Sequence, residues 1–254
     1  MTWIETKIAS RKDWAPGLIS LTLDAGAAPF VPGQFVNLAL DFDAGSESAS
    51  AGPRVKRSYS LASPPGAPSE VYLSLVPGGA LTPALFERGT GDRVWLDDRA
   101  LGFFTLDYVP QATRAWLLAT GTGLGPFLAM LRSSQIWQRF ERIMLVHGVR
   151  YASHLGYAEE LERLVAEHQQ QLIYLPLVTR EAPPPHGLSG RLPALIESGE
   201  LEQRVGMNFE ALTDHVLMCG NPAMISEVQA LLGARGLQKH RPRKPGHITV
   251  ESYW

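Results

Sequence analysis

Ala115-Trp116-Leu117-Leu118-Ala119-Thr120-Gly121-Thr122-Gly123-Leu124-Gly125-Pro126-Phe127-Leu128-Ala129-Met130-Leu131 is the longest uncharged run in the chain. A short apolar segment comes first, a glycine-rich turn follows, and Pro126 opens a second apolar segment. This reads as a buried strand, a turn and a helix, because proline suits the first helical position. The run falls short of the roughly 20 residues a membrane span needs and is broken by glycine and proline. Such a turn lets backbone approach a pyrophosphate, and the helix start offers unpaired N–H groups. The spacing is not a complete G-x-G-x-x-G, since Phe127 follows Pro126. An ordinary strand–helix turn has the same look.

Outward from this run, the C-terminal half alternates strand and helix. Arg114–Ala119 reads as a strand, with a helix from about Pro126 to Gln135. Arg142–Gly148 and Leu172–Val178 read as strands. Between them, His154–His168 places Leu155, Ala158, Leu161, Leu164 and Val165 at helical spacing. Val216–Cys219 is a strand, after which Asn221 caps a helix that begins at Pro222 and stops near Gly236. Such alternation predicts an α/β domain with a parallel sheet, Rossmann-like.

The first ~105 residues have another grammar. Gln34–Leu40, Lys56–Leu61, Glu70–Val76 and Asp92–Leu96 are short strands punctuated by Gly and Pro, with one short helix at Pro83–Glu87. They predict an antiparallel β-barrel or sandwich. Asp43–Gly52 reads as an exposed loop or insertion. Val109-Pro110-Gln111 is the linker candidate, giving domains 1–108 and 109–254.

Composition supports two ordinary domains in 254 residues: 45% hydrophobic, 19% charged, net charge −2. That charge argues against a global basic field for nucleic acid. A single cysteine, Cys219, excludes a disulfide framework and a protein-held iron–sulfur cluster within one chain. The seven histidines show no metal spacing, and G-x-S-x-G is absent. No signal peptide is read at the start, so a cytoplasmic location is expected.

The strand Ile143–Val149 ends in Arg150, where an NAD-binding unit would carry an acid for the ribose. Arg180 follows the next strand, and Arg191 lies beyond it in Ser189-Gly190-Arg191. Each alone reads as a solvated loop residue. Together, guanidinium forks after successive strands suit a phosphate, which favours NADP(H) over NAD(H). In Arg57-Ser58-Tyr59-Ser60, strand alternation puts Arg57 and Tyr59 on one face and Ser60 on the other. Gly78-Gly79-Ala80-Leu81-Thr82-Pro83 is a second glycine-led turn into a helix.

Taken in order with Gly102-Phe103-Phe104, His147-Gly148-Val149-Arg150, Thr179-Arg180-Glu181, Cys219-Gly220-Asn221-Pro222 and the terminal Val250-Glu251-Ser252-Tyr253-Trp254, these motifs resemble the bacterial ferredoxin(flavodoxin)–NADP⁺ reductases, in the branch ending Tyr-Trp. The resemblance spans nearly the whole chain. It implies an FAD-binding barrel, an NADP-binding α/β domain, and exchange of a hydride with NADP(H) and of single electrons with ferredoxin or flavodoxin. Arg57 would hold the FAD pyrophosphate, with Ser58 beside it. Tyr59 would lie on one isoalloxazine face, and Ser60 near flavin N5. Tyr72 and Ala80, Leu81 and Thr82 would contact the rest of FAD. Thr122 and Gly123 would sit where nicotinamide and flavin meet. Arg150, Thr179, Arg180 and Arg191 would read the 2′-phosphate adenosine. Tyr253 would cover the other flavin face, and Trp254 would pack on the adenine.

Resemblance also puts Cys219 near the nicotinamide and Glu251 near the flavin, making Ser60, Cys219, Glu251 and Tyr253 the catalytic candidates. A small buried hydrophobe and a solvated acid are the plain readings of Cys219 and Glu251. Lys239-His240-Arg241-Pro242-Arg243-Lys244 is the densest basic stretch, either a solvated loop or, since it lies just before the flavin-covering terminus, a docking rim near the flavin edge for an acidic carrier protein. A monomer without nucleic-acid or membrane partners is expected. Two rivals stay open: the reductase component of an oxygenase, and a non-enzymatic NADP-binding module.

Overall fold

The computed structural model describes residues 3–25, 29–40 and 55–252. The loop expected at Asp43–Gly52, and Tyr253 and Trp254, lie outside the described residues. The chain divides into two compact units, Met1–Thr105 with Gly125–Ser133, and Leu106–Leu124 with Ser134–Trp254.

In the first unit β1 (Trp3–Ala15), β2 (Leu18–Leu23), β3 (Phe35–Ala39), β4 (Lys56–Ser60), β5 (Glu70–Ser74) and β6 (Arg93–Asp97) form one antiparallel sheet, with α1 (Thr82–Phe86) between β5 and β6. Its order is β4-β3-β6-β1-β2-β5. The two outer strands meet where Leu61 bridges Val71 and the Ala62 N–H donates to the Glu70 carbonyl at 2.8 Å, so the sheet closes into a barrel. β1 serves both halves: Trp3–Lys7 pairs with β6, and after an irregularity between Ile8 and Ser10 the rest pairs with β2. Ile8, Leu21, Val36, Leu38, Leu61, Val71 and Leu96 pack inside.

In the second unit β7 (Arg114–Thr120), β8 (Arg142–Val149), β9 (Leu172–Val178), β10 (Leu188–Ser189), β11 (Asp214–Gly220) and β12 (Ile248–Ser252) form a parallel sheet. The helices are α2 (Gly125–Leu131), α3 (Ser134–Arg139), α4 (Ala158–Glu167), α5 (Leu192–Glu197), α6 (Glu200–Val205) and α7 (Pro222–Ala234), of which α2 belongs to the first unit. Strand order is β10-β9-β8-β7-β11-β12. The chain fills one side of β7 and then the other, so β7 and β11 flank the switch point, where α/β sheets bind ligands. The interiors of β7 and β11 are wholly buried, as expected for strands covered on both faces.

Several expectations need correction. The helix expected over Pro126–Gln135 is two, α2 and α3, parted at Arg132-Ser133. Arg132 there donates to the Ala62 carbonyl at 2.9 Å and pairs with Glu70 at 2.5 Å. The helix expected from His154 starts at Ala158, because Tyr157 holds a left-handed φ of 63°.

Candidate functional site

On β4, Arg57 stands opposite Leu38, Tyr59 opposite Val36 and Ser60 opposite Phe35. Arg57 is exposed, and its guanidinium donates to the Lys56 carbonyl at 2.8 Å. The Tyr59 ring packs on the barrel core, and its hydroxyl is buried without a partner among the described residues. Burial pushes this phenol up to about 12, against a smaller opposite pull from Arg57. At neutral pH it therefore keeps its proton and can act as a donor. Ser58 is turned into its own sheet: its hydroxyl donates to Asn37 Oδ1 at 2.9 Å, and Asn37 Nδ2 donates to Asp97 Oδ2 at 3.2 Å. Ser60 is buried.

The turn before α1 is held by Thr82, whose hydroxyl accepts from the Val76 N–H at 3.0 Å and donates to its carbonyl at 3.3 Å. A Cβ on Gly79 would meet the Val76 carbonyl oxygen at 2.9 Å. Ala80 is exposed, whereas the Leu81 and Thr82 side chains are buried. What this turn can present to a ligand is consequently backbone N–H at the start of α1. Tyr72 is buried with its ring edge-on to Trp14, centroids 6.4 Å apart.

At the switch point of the second unit, two loops interlock through glycine. A Cβ on Gly123 would lie 2.3 Å from the Cys219 carbonyl oxygen, and one on Gly220 2.2 Å from Thr120 Oγ1. Thr120 Oγ1 accepts from the Asn221 N–H at 2.8 Å, while the Asn221 side chain caps α7 by accepting from Ala223 and Met224. Cys219 is buried on β11 and stands opposite Ala119 on one side and half-buried Glu251 of β12 on the other. Cys219 and Glu251, distant in sequence, are thus register partners. Thr122 follows in the loop after β7 and is half-buried.

His147 was not among the expected site residues, and only its place in His147-Gly148-Val149-Arg150 hinted at it. The ring is fully buried, and Nε2 lies 2.9 Å from the Gly121 carbonyl. Burial pushes its pKa down to about 4, so the ring is neutral and Nε2 carries the donated proton. Nδ1 is then a buried acceptor without a partner among the described residues.

The three arginines share the carboxyl edge of the sheet. Val149 is level with Val178 on β9, and Val178 with Ser189 on β10. Arg150, Arg180 and Arg191 all follow within two residues of those positions and are exposed. The Arg180 N–H donates to the Arg150 carbonyl at 3.0 Å. Thr179, also exposed, donates from both its N–H and hydroxyl to the Val149 carbonyl. The Arg180 guanidinium lies 5.9 Å from the ring centroid of Tyr151, an aromatic residue that sequence reasoning overlooked. Arg191 pairs with Glu227 of α7 at 2.8 Å.

The basic segment is not at this edge. Arg241 and Lys244 bond each other's backbone in a tight turn, and Lys239 bridges Ile248, the first residue of β12. Glu251 lies toward the other end of β12. Closeness in sequence to the terminus therefore does not bring Lys239–Lys244 to the carboxyl edge. Among the described residues no His, Cys, Asp or Glu group could hold a metal, and no helix is long and apolar enough to cross a membrane.

Known proteins resemble the chain along its whole length. Residues 117–230 match the oxidoreductase NAD-binding domain family. The flavodoxin/ferredoxin–NADP reductase of Escherichia coli (strain K12) is 41% identical, with 99% of each chain covered. The ferredoxin–NADP reductase of Pseudomonas aeruginosa is 33% identical over 98% of this chain and 92% of that one. Among solved structures, a ferredoxin NADP⁺ reductase from Neisseria gonorrhoeae with bound FAD and NADP superposes with a TM-score of 0.88 at 29% identity, covering 99% of both.

Proposed function

The chain belongs to the flavodoxin/ferredoxin–NADP reductase family, and on that premise we propose that it is an FAD-dependent oxidoreductase that exchanges a hydride with NADP(H) and single electrons with ferredoxin or flavodoxin. The observation that carries this reading is the end-to-end match to reductases of that name at 41% identity. Bound FAD supplies the exchange between two-electron and one-electron steps.

The residues present fit that cofactor. The first unit offers an exposed guanidinium at Arg57, a buried phenol at Tyr59 that has no partner among the described residues, and backbone donors at Ala80, Leu81 and Thr82. In this proposal Arg57 and the turn donors hold the pyrophosphate, and the Tyr59 hydroxyl donates a hydrogen bond to a cofactor acceptor while its ring lies along the isoalloxazine. An orphaned buried hydroxyl costs about 1–3 kcal/mol, and binding would remove that cost. Ser60 is the hydrogen-bond donor near flavin N5. Ser58 contributes its backbone, since its hydroxyl serves Asn37. Tyr72, on the face of β5 opposite the core residues Val71 and Leu73, contacts the rest of FAD, and Tyr253 and Trp254 cover the second flavin face and the adenine.

NADP(H) is assigned to the switch point and carboxyl edge of the second unit. Thr122 and Gly123 receive its nicotinamide half, with Cys219 and Glu251 shaping the floor. Arg150, Thr179, Arg180 and Arg191 read the 2′-phosphate adenosine. The division 1–108 for FAD and 109–254 for NADP, a cytoplasmic location and a monomeric state complete the reading. Lys239–Lys244, at the opposite edge, steers an acidic carrier through its field.

An anaerobic visible spectrum during titration with NADPH and separately with NADH tests the assignment. A yellow protein, bleached by NADPH at far lower concentration than NADH, is the expected result. A colourless protein that cannot be reconstituted with FAD overturns it.

A further inference from the structure

We propose that Glu227 is a resident counter-ion of the nucleotide's 2′-phosphate site, competing with that phosphate for Arg191 and holding NADP(H) affinity below what the arginines alone would give. The inference rests on the assignment of Arg191 to that site. Of the three arginines at the carboxyl edge, Arg191 is the one with a carboxylate partner among the described residues: its Nη2 lies 2.8 Å from Glu227 Oε1. Arg150 and Arg180 form no ion pair there, and the nearby Glu181 carboxylate accepts from the Ala152 N–H. Arg191 stands immediately before α5, and Glu227 projects from α7, so two packed helices bring the pair together.

Both side chains are well exposed, 63% for Arg191 and 43% for Glu227. A solvated pair of this kind is weak and readily exchanged. A phosphate dianion offers the fork more charge and more acceptor oxygens. For the phosphate to take Arg191, Glu227 must give it up and then stands as a like charge beside the ligand. Both effects oppose binding of a 2′-phosphorylated nucleotide. Neither touches a nucleotide that lacks the phosphate, so Glu227 acts on discrimination and on nucleotide release rather than on general stability.

The test is calorimetric titration of the FAD-loaded protein with adenosine 2′,5′-bisphosphate and, separately, AMP, in wild type, Glu227→Gln, Arg191→Ala and the double variant. Glu227→Gln is expected to tighten the bisphosphate by roughly two- to fivefold at low salt and to leave AMP unchanged. The gain should vanish near 1 M salt, where screening falls to about 3 Å, and in the Arg191→Ala background. If Glu227→Gln tightens neither ligand, or both equally, while Arg191→Ala still weakens the bisphosphate, the counter-ion role is wrong and the phosphate site stands. If Arg191→Ala leaves bisphosphate binding unchanged, the assignment of Arg191 fails and the inference with it.

Discussion

Replacing Gly123 by alanine probes the switch point most directly. The new Cβ would lie 2.3 Å from the Cys219 carbonyl oxygen, 2.6 Å from its carbon and 2.9 Å from Gly220 Cα. Ordinary contact begins at 3.4 Å, so the loops after β7 and β11 must part by about 1 Å. Overpacking of this kind costs about 1–3 kcal/mol. Every neighbour is backbone, and no rotamer change can relieve it, which puts the cost near the upper end. At about 2–4 °C per kcal/mol, the melting temperature should fall by roughly 6–12 °C. NADPH affinity should fall too, while FAD content at low temperature should hold, since Gly123 belongs to the second unit. Gly125→Ala is the control, because its Cβ would meet the Ser60 carbonyl oxygen at an ordinary 3.7 Å. Thermal unfolding followed by circular dichroism decides the matter. A Gly123→Ala protein that melts with wild type, or a Gly125→Ala protein that falls as far, refutes the reasoning.

Asp214 is fully buried and accepts from Arg114 Nε, Trp116 Nε1, the Glu210 N–H and Thr213 Oγ1; its loss to alanine should destabilise by about 3–5 kcal/mol in chemical denaturation. Arg150→Ala should weaken NADPH by ~1.5–3 kcal/mol and spare NADH, and equal loss for both in steady-state kinetics would remove Arg150 from the phosphate site. His147 and His215 are buried, with pKa values pushed down to about 4 and about 3. The unfolded chain titrates near 6.5, so stability is highest above that pH and declines as pH falls through about 4 and about 3, because the unfolded chain takes up protons that the buried rings do not. Denaturation midpoints between pH 7 and 4 should show this decline, with a shallower slope in His147→Gln. Reversing charge at Arg243 and Lys244 should slow reduction of ferredoxin or flavodoxin and flatten its salt dependence; an equal fall in ferricyanide reduction would count against steering.

Local pattern was enough wherever burial was continuous or a turn residue was distinctive. The strands around β7, β8, β9 and β11 announce themselves as apolar runs, and Asn221-Pro222 signals the start of α7 because cap and proline act within one turn. Other elements carry no such mark. β1 buries Thr6 and Ile8 among largely polar neighbours, so its place at the centre of the barrel sheet is written in its partners rather than in its own periodicity. β10 has two residues, and α5 and α6 have six each, too short for a period to show.

The same division holds for the candidate site. By itself the sequence determined the class of fold, the glycine turn after β7 and three arginines in a row of successive strand ends, because those signals depend on a few adjacent residues. Only tertiary structure decided which of these stand together. Parallel register sets Cys219 beside Glu251, which lie 32 positions apart. Packing of α7 on α5 gives Arg191 a carboxylate, while Arg150 has none among the described residues. Burial leaves Tyr59 with a donor that has no partner among the described residues, and His147 with a neutral ring. Contacts and desolvation act through space, and a chain read one residue at a time does not carry them.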